Sequence, residues 1–458
     1  MQQVNEPKKC RKKFQIKLMP TQIIAITFAA IIVLGTVLLM LPAAARNGVS
    51  CGFRPALFTA TSATCVTGLV LYDTWSQFSS FGQTVIICLI EIGGLGFMSA
   101  ASLFVFLFRR KVGLKQRLLM AQALSVDEMS GVVKLQKWVL LGSLSIQLAG
   151  ALVLMLRFLP EYGFRQSLVW GVFHSISAFC NAGFDIFGSI APGMSLITFN
   201  ADPVVCITLM TLVVLGSLGF FVWEEMVRIH SFKKFSVYTK LVLVTTGVLI
   251  VGGAAIMLLL EWNNPGTFGS MPWPQKILNA FFQSVTLRTA GFVSVDQAML
   301  TDAGKAVSMV LMLIGGSSGS TAGGLKTVTF VVLVLFLWAR ARGKSTVHVF
   351  RRTIPGDKVL DAMTIAGMMI LLGFAGAVFI SATSPVNFVD ALYEAISALA
   401  TVGLSAGMTT SLSIPAQYMI ILFMYFGRVG ILTISLGFLM GDRAEERFRY
   451  AQTNLLIG

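Results

Sequence analysis

The stretch FTATSATCVTGL, residues 58–69, decides the fold because the chain contains three further versions of it. They are FHSISAFCNAGF at 173–184, FFQSVTLRTAGF at 281–292 and YEAISALATVGL at 393–404. Each begins with an aromatic residue, reaches a glycine ten residues later and continues with a bulky apolar residue. The four glycines are 115, 108 and 112 residues apart, far too long a period for a solenoid, so the chain contains four copies of one large unit.

The composition places these units in a membrane. Of 458 residues, 55% are hydrophobic and only 12% are charged, which nearly excludes a water-soluble fold. Eight apolar stretches are long enough to cross a hydrocarbon core of about 30 Å. They are Thr21–Leu41, Phe81–Phe108, Trp138–Leu159, Pro203–Val227, Leu241–Leu260, Ala303–Trp338, Ala362–Ser381 and Tyr418–Met440. We therefore predict an all-α integral membrane protein with eight transmembrane helices.

Two apolar spans separate each marker glycine from the next, so each unit reads as a helix, a short pore loop and a second helix. The predicted repeats are residues 21–108, 109–229, 230–341 and 342–441, between a cytosolic N-terminal segment, 1–20, and a cytosolic C-terminal tail, 442–458. The pore-loop segment that ends at each marker glycine is too short to cross the bilayer and return as helix throughout, so part of it must be irregular backbone. Irregular backbone at membrane depth must line a water-filled cavity or be buried in protein. Four pseudosymmetric repeats around one central pore would give the irregular backbone such a surrounding, and we predict this arrangement. The alternative is a duplicated helix bundle whose loops pack against each other without forming a pore.

The net charge of +15 is explained by orientation rather than by nucleic acid. Basic residues cluster in alternate connections, as the positive-inside rule requires when both termini are cytoplasmic. The clusters are Lys8–Lys17, Arg109–Lys137, Arg228–Lys240, Arg340–Lys358 and Arg443–Arg449. The first span has basic residues before it and a small-residue segment after it, as a signal peptide would, but its apolar core is longer than a typical signal core, which favours a retained helix.

Few residues suit enzymatic chemistry. The six cysteines contain no CxxC pair and the three histidines are scattered, so neither a disulfide framework, nor a zinc site, nor a histidine-based enzyme is supported. We predict that the chain is not an enzyme and carries no organic cofactor.

The repeats also match beyond the pore loops, where a small-residue cluster follows each one: GGLGF at 93–97, GSLGF at 216–220, GGSSG at 315–319 and GRVGI at 427–431. Gly-x-x-Gly in a membrane helix normally indicates close packing. Arg428 stands at the register of Gly94, Ser217 and Gly316, and an intramembrane charge is expensive and usually functional. The alternative is an arginine paired for folding, with Glu91 or with loop carbonyls.

GSTAGGLKT, residues 319–327, resembles a phosphate-binding loop, but Leu325 places Lys326 one position out of register. The stretch also lies near mid-membrane, where phosphates would have to lose their hydration. We instead predict a broken second helix in the third repeat, with an intramembrane loop at 315–327 that acts as a gate. The predicted gate residues are Gly315, Gly316, Ser317, Ser318, Gly319, Ser320, Thr321, Ala322, Gly323, Gly324 and Lys326, together with Arg428. Lys326 is weaker evidence, since it can also snorkel or cap the following helix.

Four pore loops around an axis can present backbone carbonyls that replace the hydration shell of a monovalent cation. Glycine reaches backbone angles closed to other residues, which lets successive carbonyls face one way. The short helices would point their negative C-terminal ends at the ion. The pattern therefore predicts a cation pore.

The motifs CVTGL, CNAGF, RTAGF and ATVGL, with GGSSGSTAGGLKT and GRVGILT, resemble those of the Trk/Ktr/HKT superfamily of potassium transporters over nearly the whole chain. The membrane subunit of the Ktr branch is the most similar, because only one span precedes the first pore loop. The resemblance implies a homodimer with one pore per protomer, a cytosolic ring of nucleotide-binding regulatory subunits, and a bacterial inner membrane.

Carried over by position, the resemblance implies a selectivity filter of four tetrapeptides. They are Cys65, Val66, Thr67 and Gly68; Cys180, Asn181, Ala182 and Gly183; Arg288, Thr289, Ala290 and Gly291; and Ala400, Thr401, Val402 and Gly403. A serine at the first filter glycine accompanies sodium transport in plant relatives, so Gly68 implies potassium as the transported ion, with sodium activation left open. Ser318, where relatives often have proline, and Glu91, where glutamine is expected, depart from the pattern.

Two other classes of protein compete with this interpretation. A secondary transporter would bind a small solute or Na⁺ at broken helices, but its repeats are expected to be two and often inverted. A membrane ATPase would need a valid phosphate loop and a soluble catalytic domain, and the sequence has neither.

Overall fold

A computed structural model describes residues 20–96 and 132–430 of the chain, and these residues are almost entirely helical. The first half contains α1 (Pro20–Met40), α2 (Phe53–Thr64), α3 (Thr74–Gln77), α4 (Ser80–Leu95), α5 (Val132–Phe179), α6 (Pro203–Leu218) and α7 (Phe220–Ile229). The second half contains α8 (Val237–Glu261), α9 (Trp273–Thr286), α10 (Asp302–Leu313), α11 (Thr327–Ala341), α12 (Gly356–Thr383), α13 (Phe388–Leu399) and α14 (Ile414–Val429). Short 3₁₀ turns and one small β-hairpin complete the described part.

Several helices begin where the sequence supplies a capping oxygen. The side chains of Asp202, Ser236, Thr301, Asn387 and Ser413 each accept a hydrogen bond from a backbone N–H of the turn that follows. Such caps satisfy amide donors that have no partner inside the helix. The starts of α6, α8, α10, α13 and α14 are thus fixed locally.

Four short helices form the buried centre, and the longer helices surround them. The central helices are α2, the last part of α5 after its kink at Gly163, α9 and α13. Helix α2 packs against α1 and α4, α5 against α6, α9 against α8 and α6, and α13 against α12 and α14. Gly163 is not helical, with a φ of 73° and a ψ of 167°, and it divides α5 into a long outer helix and the short central one. The order of helix, short central helix and second helix thus recurs in all four units, although the proposed domain boundaries remain predictions.

The outward surface is apolar, as a lipid-facing surface must be. Leu148 is 72% exposed and Leu371 is 69% exposed, and both lie on long helices without neighbouring charges. Among the described residues, four helices are long and apolar enough to cross a membrane, or five if α6 and the bent continuation α7 form one span. Three shorter apolar helices, α4, α11 and α14, add to these. The count of eight spans therefore remains a prediction, and the ends of two of them, 97–108 and 431–440, lie outside the described residues.

The second helix of the second repeat is also broken, which the sequence interpretation missed. Helices α6 and α7 meet at an angle of 94° at Gly219, whose φ is 89°. We had expected only the third repeat to carry such a break. The described parts of α4 and α14 likewise end at positive-φ glycines, Gly96 and Gly430. In three of the four clusters, a glycine three residues after the first permits this local change of direction.

The first glycine of three clusters serves close packing, as Gly-x-x-Gly predicts. Gly93, Gly216 and Gly427 each lie against the carbonyl oxygen that ends a central helix, respectively of Thr64, Phe179 and Leu399. Any side chain at these glycines would collide with that backbone oxygen. The packing interpretation is therefore correct for these three positions.

A hairpin extends the connection between α11 and α12. Its strands, β1 (Val347–Val349) and β2 (Arg352–Ile354), pair antiparallel. The Lys240 Nζ atom lies 5.9 Å from the ring centre of Phe350 at the hairpin turn. The basic connections 228–240 and 340–358 thus meet at one end of the molecule, as the positive-inside pattern predicts.

Candidate functional site

The four tetrapeptides share one unusual backbone conformation. In each, the second residue is left-handed although it is not glycine, with φ values of 57° (Val66), 62° (Asn181), 65° (Thr289) and 53° (Thr401). The fourth residue is a glycine with φ of 100° (Gly68), 68° (Gly183), 77° (Gly291) and 91° (Gly403). A left-handed conformation costs a non-glycine residue about 1–2 kcal/mol. The same costly geometry in four places indicates a common requirement of the site.

The four glycines form a closed ring. A Cβ atom added to Gly68 would lie 2.5 Å from the Ala182 carbonyl oxygen, and one added to Gly183 would lie 2.8 Å from the Ala290 oxygen. One added to Gly291 would lie 2.7 Å from the Val402 oxygen, and one added to Gly403 would collide with the Thr67 oxygen. Each tetrapeptide thus touches the next, and the fourth returns to the first. The structure brings all four predicted tetrapeptides together around one axis.

Hydroxyl groups on the central helices hold the glycine ends of the tetrapeptides. Ser62 Oγ accepts a hydrogen bond from the Gly68 amide at 3.0 Å, and Ser397 Oγ accepts one from the Gly403 amide at 3.2 Å. In the other two repeats, Ser177 Oγ and Thr286 Oγ1 each donate at 2.7 Å to the carbonyl that follows the glycine, those of Phe184 and Phe292. Because these hydroxyls are buried, they fix the backbone rather than contact solvent.

Several tetrapeptide side chains are bonded into the surrounding protein rather than into the ring. The Cys180 thiol donates to Glu91 Oε2 at 3.3 Å, the Asn181 amide donates to Ser217 Oγ at 2.8 Å, and Arg288 contacts the predicted gate. The carbonyls of Thr67, Ala182, Ala290 and Val402 lie against the ring glycines. Carbonyls are ligands that can replace the hydration shell of potassium.

One side of the ring opens into a cavity of about 320 Å³. The four ring glycines line its floor, and Asp73, Asp185 and Asp296 line its wall. Burial and the nearby Asp73 carboxylate raise the pKa of Asp185 to about 6. Three carboxyl groups around one mouth would raise the local concentration of cations.

The predicted gate loop lies at the other end of the tetrapeptides. Thr321 Oγ1 donates to the Phe179 carbonyl at 3.1 Å, directly before the second tetrapeptide, and Gly323 lies against Thr401 of the fourth. The loop also fills the break in the second repeat, because the Phe220 amide donates to the Gly319 carbonyl at 2.9 Å. The loop therefore contacts the ring end opposite the acidic cavity.

The loop backbone does not resemble a phosphate cradle. Ser317 and Thr321 donate their amides to carbonyls of the second repeat, at 3.0 and 3.2 Å, and Gly315 and Leu325 donate theirs across the base of the loop. Lys326 Nζ donates to the Ala322 carbonyl at 2.8 Å, and its side chain makes no capping hydrogen bond to the helix that begins at Thr327. These donors are already used within the protein, whereas a phosphate loop needs them free.

Arg428 joins the loop to the first repeat. Its guanidinium donates to the carbonyls of Thr321 and Gly93, and to that of Gly94 at 3.0 Å. The last two carbonyls belong to the C-terminal end of α4, where the helix dipole is negative. A pairing of Arg428 with Glu91 was one of the alternatives considered, and it is wrong, because Glu91 instead accepts hydrogen bonds from Gln147 and Cys180.

Both the sequence and the fold of the chain are similar to those of known proteins. The family model described as TrkH, cation transport protein, matches residues 6–447. The chain is 38% identical to the potassium/sodium uptake protein NtpJ of Enterococcus hirae, over 98% of this chain and 99% of that protein. It is 39% identical to the Ktr system potassium uptake protein B of Bacillus subtilis, over 94% of this chain and 96% of that protein. Its fold is similar to the crystal structure of the potassium transporter TrkH from Vibrio parahaemolyticus, with a TM-score of 0.72 at 17% identity, over 94% of this chain and 87% of that one.

Proposed function

The chain belongs to the TrkH family of cation transport proteins, and from this premise we propose that it is the ion-translocating subunit of a potassium uptake system. It is a multi-pass membrane protein, and relatives of similar length are named as potassium uptake proteins. It acts as a transporter and not as an enzyme.

The ring of glycines carries this proposal. The four tetrapeptides share alternating backbone handedness around the ring, which supports their backbone carbonyls as the coordinating groups. Such a ring suits a monovalent cation that is stripped of water. The residues proposed to form the filter are the sixteen of the four tetrapeptides that end at Gly68, Gly183, Gly291 and Gly403.

The loop at 315–327 is proposed as the gate beneath this filter. It contacts the end of the filter away from the acidic cavity, and hydrogen bonds to the second repeat and to Arg428 hold it there, so these bonds must break when the loop moves. A closed loop would block the path, and a displaced loop would open it. Arg428 holds the closed arrangement in this proposal.

The partners and the orientation in the membrane are proposed from the names of relatives and from the position of the basic connections. Two relatives are named as proteins of a Ktr system, which supports the proposal of a regulatory partner, and we expect a ring of nucleotide-binding subunits. The basic connections 228–240 and 340–358 meet at one end and would form the cytoplasmic face, with both termini on the same side. A homodimer in a bacterial inner membrane completes the proposal.

Flux of radioactive rubidium into proteoliposomes tests the proposed function. Purified protein should carry rubidium, and excess potassium should compete more strongly than excess sodium. The control is the same protein with Gly183→Trp, which fills the ring at a position where even a Cβ meets backbone atoms. Equal rubidium uptake by both proteins, or none by the wild type in any gradient, would contradict the proposal.

The alternative is sodium-coupled transport at the broken helices. It is favoured by the 94° break at Gly219 and by a relative named as a potassium/sodium uptake protein. An imposed sodium or proton gradient, applied without a potassium gradient, distinguishes the two mechanisms. Rubidium accumulation against its own gradient would support coupling, whereas simple equilibration would support a channel-like path.

A further inference from the structure

Arg288 has an environment that a filter residue does not require. Its side chain is 3% exposed, and its Nη2 atom donates to the Gly315 carbonyl and to Thr327 Oγ1, both at 3.3 Å. Thr327 Oγ1 in turn donates to the same Gly315 carbonyl at 3.0 Å. One guanidinium therefore joins the start of the third tetrapeptide to both ends of the intramembrane loop.

The arginine and the loop occur in the same repeat. The corresponding residues of the other tetrapeptides are Cys65, Cys180 and Ala400, none of which has a side chain long enough to make this connection. The third repeat is also the one whose break is extended into the Gly/Ser stretch 315–324. The coincidence indicates that Arg288 belongs to the loop as much as to the filter.

The contacts of Arg288 are few for a buried charge. Within residues 20–96 and 132–430 it has no carboxylate partner at ion-pair distance, and its Nε atom has no hydrogen-bond partner. A buried cation without a counter-charge depends strongly on each remaining acceptor. Removal of one acceptor should therefore displace the guanidinium and the backbone that carries it.

The base of the loop is rigid where Arg288 contacts it. The Gly315 amide donates to the Leu325 carbonyl at 2.8 Å, the Leu325 amide donates to the Leu313 carbonyl at 3.0 Å, and the Thr327 amide donates to the Gly316 carbonyl at 3.0 Å. These three hydrogen bonds join residues 313–316 to residues 325–327 and thus close the base of the loop. Arg288 thus attaches the filter to a fixed point and not to the part of the loop that contacts Arg428.

We propose that Arg288 is a positioning residue, which sets the geometry of the third quarter of the filter through the Gly315 carbonyl and the Thr327 hydroxyl, so that ion selectivity depends on the base of the loop. The proposal rests on the proposed function, since it concerns the selectivity of the same pore. It separates two roles within one loop: its base supports the filter, and its tip blocks the path.

Thr327→Val tests the proposal with little change in volume. Thr329→Val is the matched control, because Thr329 lies two residues further along α11 and the hydrogen bonds of the Arg288 side chain go to Gly315 and Thr327. Competition of potassium and sodium for rubidium uptake is measured in proteoliposomes. We expect the potassium-over-sodium preference to fall about fivefold in Thr327→Val, in line with the loss of one charge-assisted hydrogen bond, and to stay unchanged in Thr329→Val and in Thr327→Ser. A preference equal to that of the wild type in Thr327→Val, even with lower thermal stability, would overturn the proposal.

Arg288→Lys provides a second measurement, which by itself does not require the valine variant. A single ammonium group cannot reproduce the guanidinium fork, so the preference should fall, and adding Thr327→Val should lower it by less than it does in the wild-type background. An unchanged preference in Arg288→Lys, or fully additive effects, would contradict the coupling. Failure of the proposed function would be distinct, because the wild-type protein itself would then carry no rubidium.

Discussion

Substitution of the first ring glycine is the sharpest test of the filter. In Gly68→Ser, the new Cβ would lie 2.5 Å from the Ala182 carbonyl oxygen, on a residue whose φ is 100°. Left-handed backbone costs an L-residue about 1–2 kcal/mol, and the contact must also be relieved by movement of a carbonyl proposed to bind the ion. If this free energy weakens the binding of potassium and leaves the binding of sodium unchanged, the preference for potassium over sodium should fall about 5- to 30-fold.

The assay is rubidium uptake in proteoliposomes with increasing potassium or sodium as competitor. Gly48→Ser is the matched control, because Gly48 also has a positive φ of 72° but a Cβ there meets nothing within 4 Å. Both variants carry a similar backbone strain, and only one touches the ring. A preserved potassium preference in Gly68→Ser, or the same loss in both variants, would refute the placement of the filter.

Three further predictions concern the gate and the mouth. Deletion of Ser317–Ala322 should increase rubidium flux without any partner, as measured on a protein that still elutes as folded material; a folded but inactive variant would contradict the gate. Arg428→Ala removes the hydrogen bonds to the loop and to α4, so it should also increase basal flux, and wild-type flux would count against a role in closure. Protonation of Asp185, whose pKa is raised to about 6, removes a negative charge from the mouth as pH falls, so flux at low ion concentration should decrease below pH 6 and Asp185→Asn should abolish that decrease.

The sequence alone predicted the four repeats and their arrangement around one axis. The reason is that an aromatic residue, followed ten residues later by a glycine that the structure shows to be left-handed, recurs four times at similar intervals. The sequence could not reveal the break at Gly219, since Leu218 and Gly219 read as part of one apolar span. The one relevant signal was a glycine three residues after the first in three of the four small-residue clusters. At Gly219 the intramembrane loop stabilises the change of direction, because the Gly319 carbonyl accepts a hydrogen bond from the Phe220 amide.

Side-chain direction was the second limit. Arg288 was assigned to the filter by position, and nothing in a tetrapeptide reveals that the guanidinium turns back to Gly315, 27 residues later in the chain. Arg428 had two candidate partners in the sequence, Glu91 and loop carbonyls, and only packing decides between them. Long-range pairs of this kind depend on how helices cross, which local patterns do not encode.

The closed ring is made by a single polypeptide, and this has a consequence for its evolution. In a ring of four identical subunits, one codon change alters the same residue in all four subunits. In this ring, one codon change alters a single position. Cys65, Cys180, Arg288 and Ala400 occupy the same position with three different chemistries of side chain, a thiol in two repeats, a guanidinium and a methyl group. Ancestral duplication therefore left each quadrant free to diverge, and ion preference can drift through graded, asymmetric intermediates rather than in one all-or-none step.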